Sequence, residues 1–339
     1  MAPQVFILGA TGLIGGDLLY SIIQQGLKWN ISCLVRNENR GAVVSKTYPN
    51  VRLVYGDLDS LDTIEREAAA SDLVYSAANI DHLESARAII RGLKSRKSPS
   101  WYIHTSGAGI LGWETRDLKS FGRSLPRSYN DWDGLKQLTS IPDHAPHRDV
   151  EKTVLEAHNG SPNLYTAIVC PPLIYGVGRG PGNQHSVQAN LVASSIMKYG
   201  QGFTLNGGQN VWNTVHVHDL SKLFVLLGEA AINGGDPATW NDEGYYLAEN
   251  DSVRLSDLVR ATVNLEYKRG LIKTNEVVDL SHQQVDEICP DYDVYCGTDS
   301  VGTAIRAKKI LGWKPDSPSL LDTLPDVISH EAKKLSLES

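Results

Sequence analysis

Short apolar runs recur through the first half of the chain, each separated from the next by a stretch of helical periodicity. Val5–Leu8, Ile31–Val35, Val51–Tyr55, Leu73–Ser76, Trp101–His104 and Tyr165–Cys170 are nearly continuous in apolar character and read as strands buried on both faces. Between them, Leu13–Gln25, Leu61–Ala69, Leu83–Leu93 and Arg148–His158 bring apolar residues to one side of a helix. This alternation predicts an α/β fold, a Rossmann-type doubly wound parallel sheet with helices on both faces. Such a sheet binds its ligand at the carboxyl ends of the strands.

After Cys170 the pattern loosens. Gly176–Asn183 is a loop rich in Gly and Pro, and Val187–Tyr199 and Ser221–Ile232 read as helices. A break at Pro237–Gly244 precedes a strand at Tyr245–Ala248. Ser256–Leu265 reads as a helix with Ser256 as its N-cap, and a last amphipathic helix lies near Leu320–Leu335. The predicted division is a Rossmann domain at residues 1–175, with 210–235 contributing. A smaller substrate-binding region takes residues 176–209 and 236–339.

Composition adds little beyond bounds. With 41% hydrophobic and 21% charged residues, 339 residues can bury a full core. The net charge of −7 comes without any basic stripe, which argues against nucleic acid or an anionic membrane as partner. No apolar run is long enough to span a bilayer. Met1-Ala2-Pro3-Gln4 leads at once into the first strand and leaves no room for a signal peptide. A cytoplasmic protein, monomer or homodimer, acting on a small-molecule substrate is expected. Cys33, Cys170, Cys289 and Cys296 are scattered and read as free thiols.

The first strand runs into Gly9-Ala10-Thr11-Gly12-Leu13-Ile14-Gly15. Gly9 permits a tight turn, Gly12 lets backbone amides approach a pyrophosphate, and Gly15 lets the helix pack closely. Gly9, Thr11, Gly12, Leu13, Ile14 and Gly15 are therefore candidate cofactor residues. At the end of the second strand an NAD enzyme wants an acidic residue for the ribose 2′-OH. Here Arg36 stands at that end and Arg40 one turn on, and a guanidinium suits a 2′-phosphate. The expected cofactor is NADP(H).

Three further segments extend the pattern: Cys170-Pro171-Pro172-Leu173-Ile174-Tyr175-Gly176, Val215-His216-Val217-His218-Asp219-Leu220 and Leu311-Gly312-Trp313-Lys314-Pro315. With the glycine turn, they make the chain resemble the short-chain dehydrogenase/reductase superfamily, in its atypical or extended, epimerase/dehydratase-like and NmrA-like fungal branches. The resemblance places Asp57 and Leu58 beside the adenine, Ala77, Ala78 and Asn79 against the cofactor ribose, and Thr105, Pro171, Leu173 and Ile174 at the nicotinamide end.

The same resemblance implies a proton relay of Ser or Thr plus Tyr-x-x-x-Lys, and here the chain departs. The serine position falls on Gly107, with Ser106 or Thr105 as substitutes after a shift in register. The lysine is matched by Lys152, but Arg148 stands where the tyrosine belongs. Arginine stays protonated and orients anions rather than donating protons. Lys152 would hold the ribose, Asp149 or Glu151 would stabilise an iminium, and Tyr175 or Tyr129 are alternative phenols. His104 and His147 are candidates to line the active-site mouth. His216 and His218, two apart, would share a strand face, but no third ligand accompanies them. No metal site is expected, and His216 reads as a buried hydrogen-bonding residue. Trp113, Tyr129, Trp132, Phe203 and Trp212 are candidate walls for an apolar ligand.

These features point to an NADPH-dependent reductase that delivers hydride to a small apolar acceptor (C=N or iminium, enone or carbonyl) in specialised-metabolite biosynthesis. Three alternatives share the pocket: a cyclase or isomerase that uses hydride transfer to unmask an intermediate, an NmrA-like redox sensor without turnover, and an epimerase or dehydratase. Arg179 and Arg254 stand apart and form no cluster for a nucleotide-sugar diphosphate, which weighs against the last.

Overall fold

Seven parallel strands form the central sheet of the computed structural model, which describes residues 2–338. Met1, where the leader reading begins, lies outside the described residues. The strands are β1 (Gln4–Leu8), β2 (Asn30–Val35), β3 (Arg52–Tyr55), β4 (Leu73–Ser76), β5 (Ser100–Thr105), β6 (Leu164–Cys170) and β7 (Tyr245–Leu247). Their order across the sheet is β3-β2-β1-β4-β5-β6-β7. The chain therefore winds outward from β1 in both directions, and the crevice between β1 and β4 is the switch point where such sheets take ligands. Leu8 lies opposite both Leu34 and Ser76, so the carboxyl ends there are level. Phe6, Ile7 and Leu8 are fully buried, as a strand covered on both faces requires.

One face carries α1 (Leu13–Gln24) packed beside a later helix, Val217–Ile232, and the other carries α3 (Leu61–Ala69), α4 (Leu83–Lys94) and α5 (Arg148–Leu155). Between α1 and α3 the chain forms α2 (Glu38–Thr47). The sequence reading gave no element there because its apolar positions are few. Its start is instead fixed by Asn37, whose side chain accepts from the Arg40 amide at 3.0 Å.

Further along come α6 (Gln188–Tyr199), α7 (Val217–Ile232), α8 (Leu255–Lys268) and α9 (Leu320–Lys334). A three-stranded sheet pairs Leu173–Tyr175, Val211–His216 and Asp251–Arg254. Residues of α6, α8 and α9 close a second hydrophobic cluster that includes Leu173, Tyr175, Phe203 and Trp212. Ala304, Ala307 and Trp313 pack instead in the first cluster, with the main sheet.

Two local expectations are corrected. Ser256 is not an N-cap: α8 starts at Leu255 with Arg254 as cap. The strand Asp251–Arg254 runs straight into the helix, and the Ser256 amide donates to the Gly208 carbonyl at 2.9 Å. His216 and His218 do not share a strand face. The strand ends at His216 and α7 begins at Val217, four residues before the expected start. His216 Nδ1 accepts from the His218 amide at 3.1 Å, so His216 is the cap of α7. Its buried hydrogen bond is as the sequence implied.

The two C-terminal motifs meet. Trp313 Nε1 donates to the Asp219 carbonyl at 2.8 Å, and the Asp219 carboxylate accepts from the Ser317 amide at 3.0 Å and from Lys222 Nζ at 3.0 Å. Burial pushes the Asp219 carboxyl up, but Lys222 and the backbone donors outweigh it and hold it below the usual range.

Candidate functional site

The site begins where β1 turns into α1. Gly9 has φ +92°, and a Cβ there would sit 2.3 Å from the Ala77 carbonyl oxygen. A Cβ at Gly15 would sit 2.4 Å from the Gly9 oxygen, so the helix start rests directly on the turn. Gly12 differs. Its φ is −90°, and its Cβ would find nothing nearer than the Gly9 oxygen at 3.3 Å. The missing side chain at Gly12 therefore keeps open space beside the turn. α1 opens without a side-chain cap, which leaves its first-turn amides for an anionic ligand.

Beside this turn lies a groove of about 520 Å³ at the switch point. Gly9, Thr11, Gly12, Arg36, Arg40, Asp57, Leu58, Ala77, Ala78 and Asn79 line it. Arg40 Nη1 donates to Thr11 Oγ1 at 3.2 Å, bringing α2 to the phosphate turn. Leu13, Ile14, Pro172 and Ile174 line an adjoining hollow of about 290 Å³, with Ala77 common to both. A dinucleotide fits this donor set: glycine turn, helix start, and two guanidinium groups. Of the other candidates, Thr105 is buried at the end of β5, its Oγ1 without a partner among the described residues. The Pro171 carbonyl accepts from the Ala108 amide at 2.9 Å. Leu173 turns into the second cluster.

The candidate catalytic residues do not converge. Lys152 is 44% exposed at its side chain and pairs with Asp143 at 2.9 Å. Asp149 is exposed. Arg148 is buried and donates to the Thr139 carbonyl, with Nη1 3.9 Å from Glu151 Oε2. Tyr175 donates to the Pro318 carbonyl at 2.9 Å and packs edge-on against His216. Tyr129 accepts from Trp113 Nε1 at 2.8 Å, and Trp132 lies under Arg306 and Lys309. None of the five candidate aromatic residues lines the groove.

His147, the N-cap of α5, and Glu151 in its first turn are the residues turned inward here. Glu151 is fully buried, and its Oε1 accepts from Ser106 Oγ at 2.6 Å and from Tyr245 OH at 2.7 Å. Burial raises its pKa, and those two donors and Arg148 only partly offset the rise. His147 Nδ1 lies 2.6 Å from Asp81 Oδ1. The Asp81 carboxyl is held below its usual range by that imidazole. Sequence reading named His147 only as a mouth residue and missed Asp81. The available signal was its place two residues past Asn79.

The loop after β6 is strapped to α1. Arg179 donates from Nε and Nη2 to the two oxygens of buried Asp17, at 2.9 and 2.7 Å. The Asn183 amide donates to the Thr11 carbonyl at 3.0 Å. Burial raises Asp17, but Arg179 and Ser221 outweigh it and leave the carboxyl below the usual range. Loss of a charge-assisted fork of this kind costs roughly 3 kcal/mol or more when one charge stays buried. Arg179→Ala is expected to lower the melting temperature and to weaken dinucleotide binding together. Unchanged affinity by calorimetry would separate the loop from the turn.

Residues 9–138 match a family described as NAD(P)H-binding. The oxidase ucsJ of Acremonium sp is 30% identical over 347 residues, covering 99% of this chain and 100% of its own length. The chain belongs to the family of that oxidase. In three dimensions it is similar to the UDP-glucose 4-epimerase of Thermotoga maritima, solved with UDP-glucose (TM-score 0.66, 14% identity, 99% and 100% coverage). It is also similar to the dTDP-glucose 4,6-dehydratase of Bacillus anthracis, solved with NAD (TM-score 0.67, 12% identity, 98% and 97% coverage). At such identities the likeness is one of fold: the NAD(P)-binding Rossmann architecture of epimerase/dehydratase-type proteins. The four cysteines are free and buried. Among the described residues no helix is long and apolar enough to cross a membrane, and no three His, Cys, Asp or Glu side chains group to hold a metal ion.

Proposed function

We propose that the protein is an NADP(H)-dependent reductase of a small, largely apolar acceptor in specialised-metabolite biosynthesis. The observation that carries the reading is the pair Arg36 and Arg40 in the lining of the groove, at the end of β2 and just beyond it, where an NAD enzyme would present a carboxylate. When bound, the cofactor supplies hydride. The chain's part is to hold it: the Gly9–Gly12 turn and α1 for the pyrophosphate, Arg36 and Arg40 for the 2′-phosphate, Asp57 and Leu58 at the adenine. The hollow edged by Leu13, Ile14, Pro172 and Ile174 gives an acceptor apolar contacts beside the groove.

Calorimetry with NADP+ and NAD+ tests the cofactor. Arg36→Ala should lower NADP+ affinity about ten- to a hundredfold, through loss of a charged hydrogen bond, and leave NAD+ affinity unchanged. Equal wild-type affinities for the two would sink the argument. Reduction with C4-deuterated NADPH tests the chemistry: label in a reduced product supports the reading, and an unlabelled isomer replaces it with the isomerase. The name of the Acremonium relative, an oxidase, favours a second reading, the same hydride transfer run from substrate to NADP+.

A further inference from the structure

Asn79 lines the groove, and its side chain accepts from the Asp81 amide at 3.1 Å. Asp81 in turn holds His147 Nδ1 at 2.6 Å, so a chain of contacts runs from the groove wall to an imidazole at the start of α5. The other edge of that imidazole faces the loop after β5. A Cβ built on Gly107 would lie 3.5 Å from His147 Nε2, and one on Gly109 would lie 3.2 Å away. The ring edge therefore faces Gly107, the position where the resemblance would place a serine. A Cβ on Gly109 would press on the ring, and one on Gly107 would just touch it, so any longer side chain at 107 would share the space that the ring edge faces. His147 has φ +65°, a left-handed backbone that a histidine adopts at a cost, and strain of this kind collects where a side chain must be aimed. Its side chain keeps 18% exposure, and no hydrogen bond within the described residues occupies Nε2.

We propose that His147 is the proton-exchanging catalytic residue of this protein, with Nε2 as the working atom and Asp81 as its positioning residue, and that the acceptor is accordingly a neutral carbonyl. The inference rests on the oxidoreductase reading above. Hydride arriving at the carbon of C=O leaves an electron pair on oxygen. The Nε2–H bond breaks, its electrons stay on the ring, and its proton forms the new O–H bond. Nδ1–H remains on Asp81, and a solvent proton restores the imidazolium. Run in reverse, Nε2 takes the alcohol proton. An iminium carbon needs no such proton, and an imidazolium beside it would repel its positive charge, so the pair is suited to a neutral acceptor. The ionisable groups facing the ring are Asp81 on the loop after β4, His104 on β5, and Arg148 and Glu151 on α5. His104 is buried and stays neutral, its pKa pushed down to about 3, with Nδ1 on the Tyr102 hydroxyl at 3.1 Å. It therefore does not compete for the role.

The test has a binding arm and a turnover arm. Diethyl pyrocarbonate labels accessible imidazole, and mass spectrometry reads the label at His147. NADP+ should protect His147 tenfold or better on the scale of about one decade per 1.4 kcal/mol. Adenosine 2′,5′-bisphosphate, which lacks the nicotinamide half, should not protect it. Calorimetry on the same samples separates the failures: absence of NADP+ binding removes the oxidoreductase reading, whereas binding without protection overturns this proposal alone. For turnover the probe is NADPH-dependent reduction of 9,10-phenanthrenequinone. His147→Asn keeps the left-handed backbone and should cut kcat about a hundredfold or more, with NADP+ affinity held within about twofold. Asp81→Asn should cut kcat about tenfold and move the pH dependence of kcat, which a merely structural contact would not do. Turnover in His147→Asn equal to wild type, or an unmoved pH profile in Asp81→Asn, would overturn the assignment.

Discussion

Replacing Glu266 with Met is expected to stabilise the protein by about 4 kcal/mol above about pH 8 and to change it by less than about 1 kcal/mol near pH 5. Glu266 lies on α8, fully buried, and neither carboxylate oxygen has a hydrogen-bond partner among the described residues. Burial alone pushes its pKa up to about 8, from an ordinary value of 4.5. The sign follows from which state binds the proton. Below the ordinary value the carboxyl is neutral in both states and the side chain costs little. As pH rises toward 8 the unfolded chain ionises freely while the folded one must stay protonated, so stability falls across that window and levels off above it. A thioether of similar size removes the titration. Urea unfolding of both proteins at the two pH values reads the difference directly, and parallel pH profiles would show that Glu266 finds a partner in solution.

The largest loss is expected at Gly9. Gly9→Ala forces a left-handed residue to carry a Cβ 2.3 Å from the Ala77 oxygen and 2.8 Å from the Ala78 nitrogen, both backbone atoms that cannot rotate away. A penalty above about 4 kcal/mol is expected, enough to consume much of the stability of an ordinary domain. Gly12→Ala is the informative partner. Its Cβ meets only the Gly9 oxygen at 3.3 Å, and its backbone is not left-handed. The fold should tolerate it within about 1 kcal/mol, while NADP+ affinity falls at least about tenfold because the new methyl stands where phosphate must approach. Thermal melts and calorimetry on both variants separate the two glycines. Equal losses of stability would mean that both serve packing.

The periodicity of the first half made the sheet and most of its helices legible, because strands buried on both faces and amphipathic helices write their burial into composition. The glycine turn, Arg36, Asp57 and Ala77–Asn79 come together in one groove because each follows a strand end and parallel strand ends converge, and Arg40 joins them from the first turn of α2. The catalytic end was not legible. The resemblance put Arg148 and Lys152 in the relay positions, one residue out of phase with His147 and Glu151, which the structure turns toward Asp81 and Ser106. A helix start fixes that phase, and here it depends on a left-handed residue that no periodicity announces. Asp81 escaped because its partner lies 66 residues away. Ser256 was misread because a strand flowing directly into a helix leaves no cap for a serine to fill.

The Arg179–Asp17 fork bears on how this scaffold can be diversified. The loop beside the proposed acceptor hollow is bolted through α1 to the glycine turn, and Asp17 has no solvent to fall back on. A transplanted loop 176–187 without an arginine in register would strand that carboxylate and loosen the nucleotide grip, however well it suited a new acceptor. Exchange of acceptor preference between relatives should therefore proceed by paired changes at the loop and at position 17. Libraries that vary the loop while holding Arg179 should return far more folded, nucleotide-competent variants than libraries that do not.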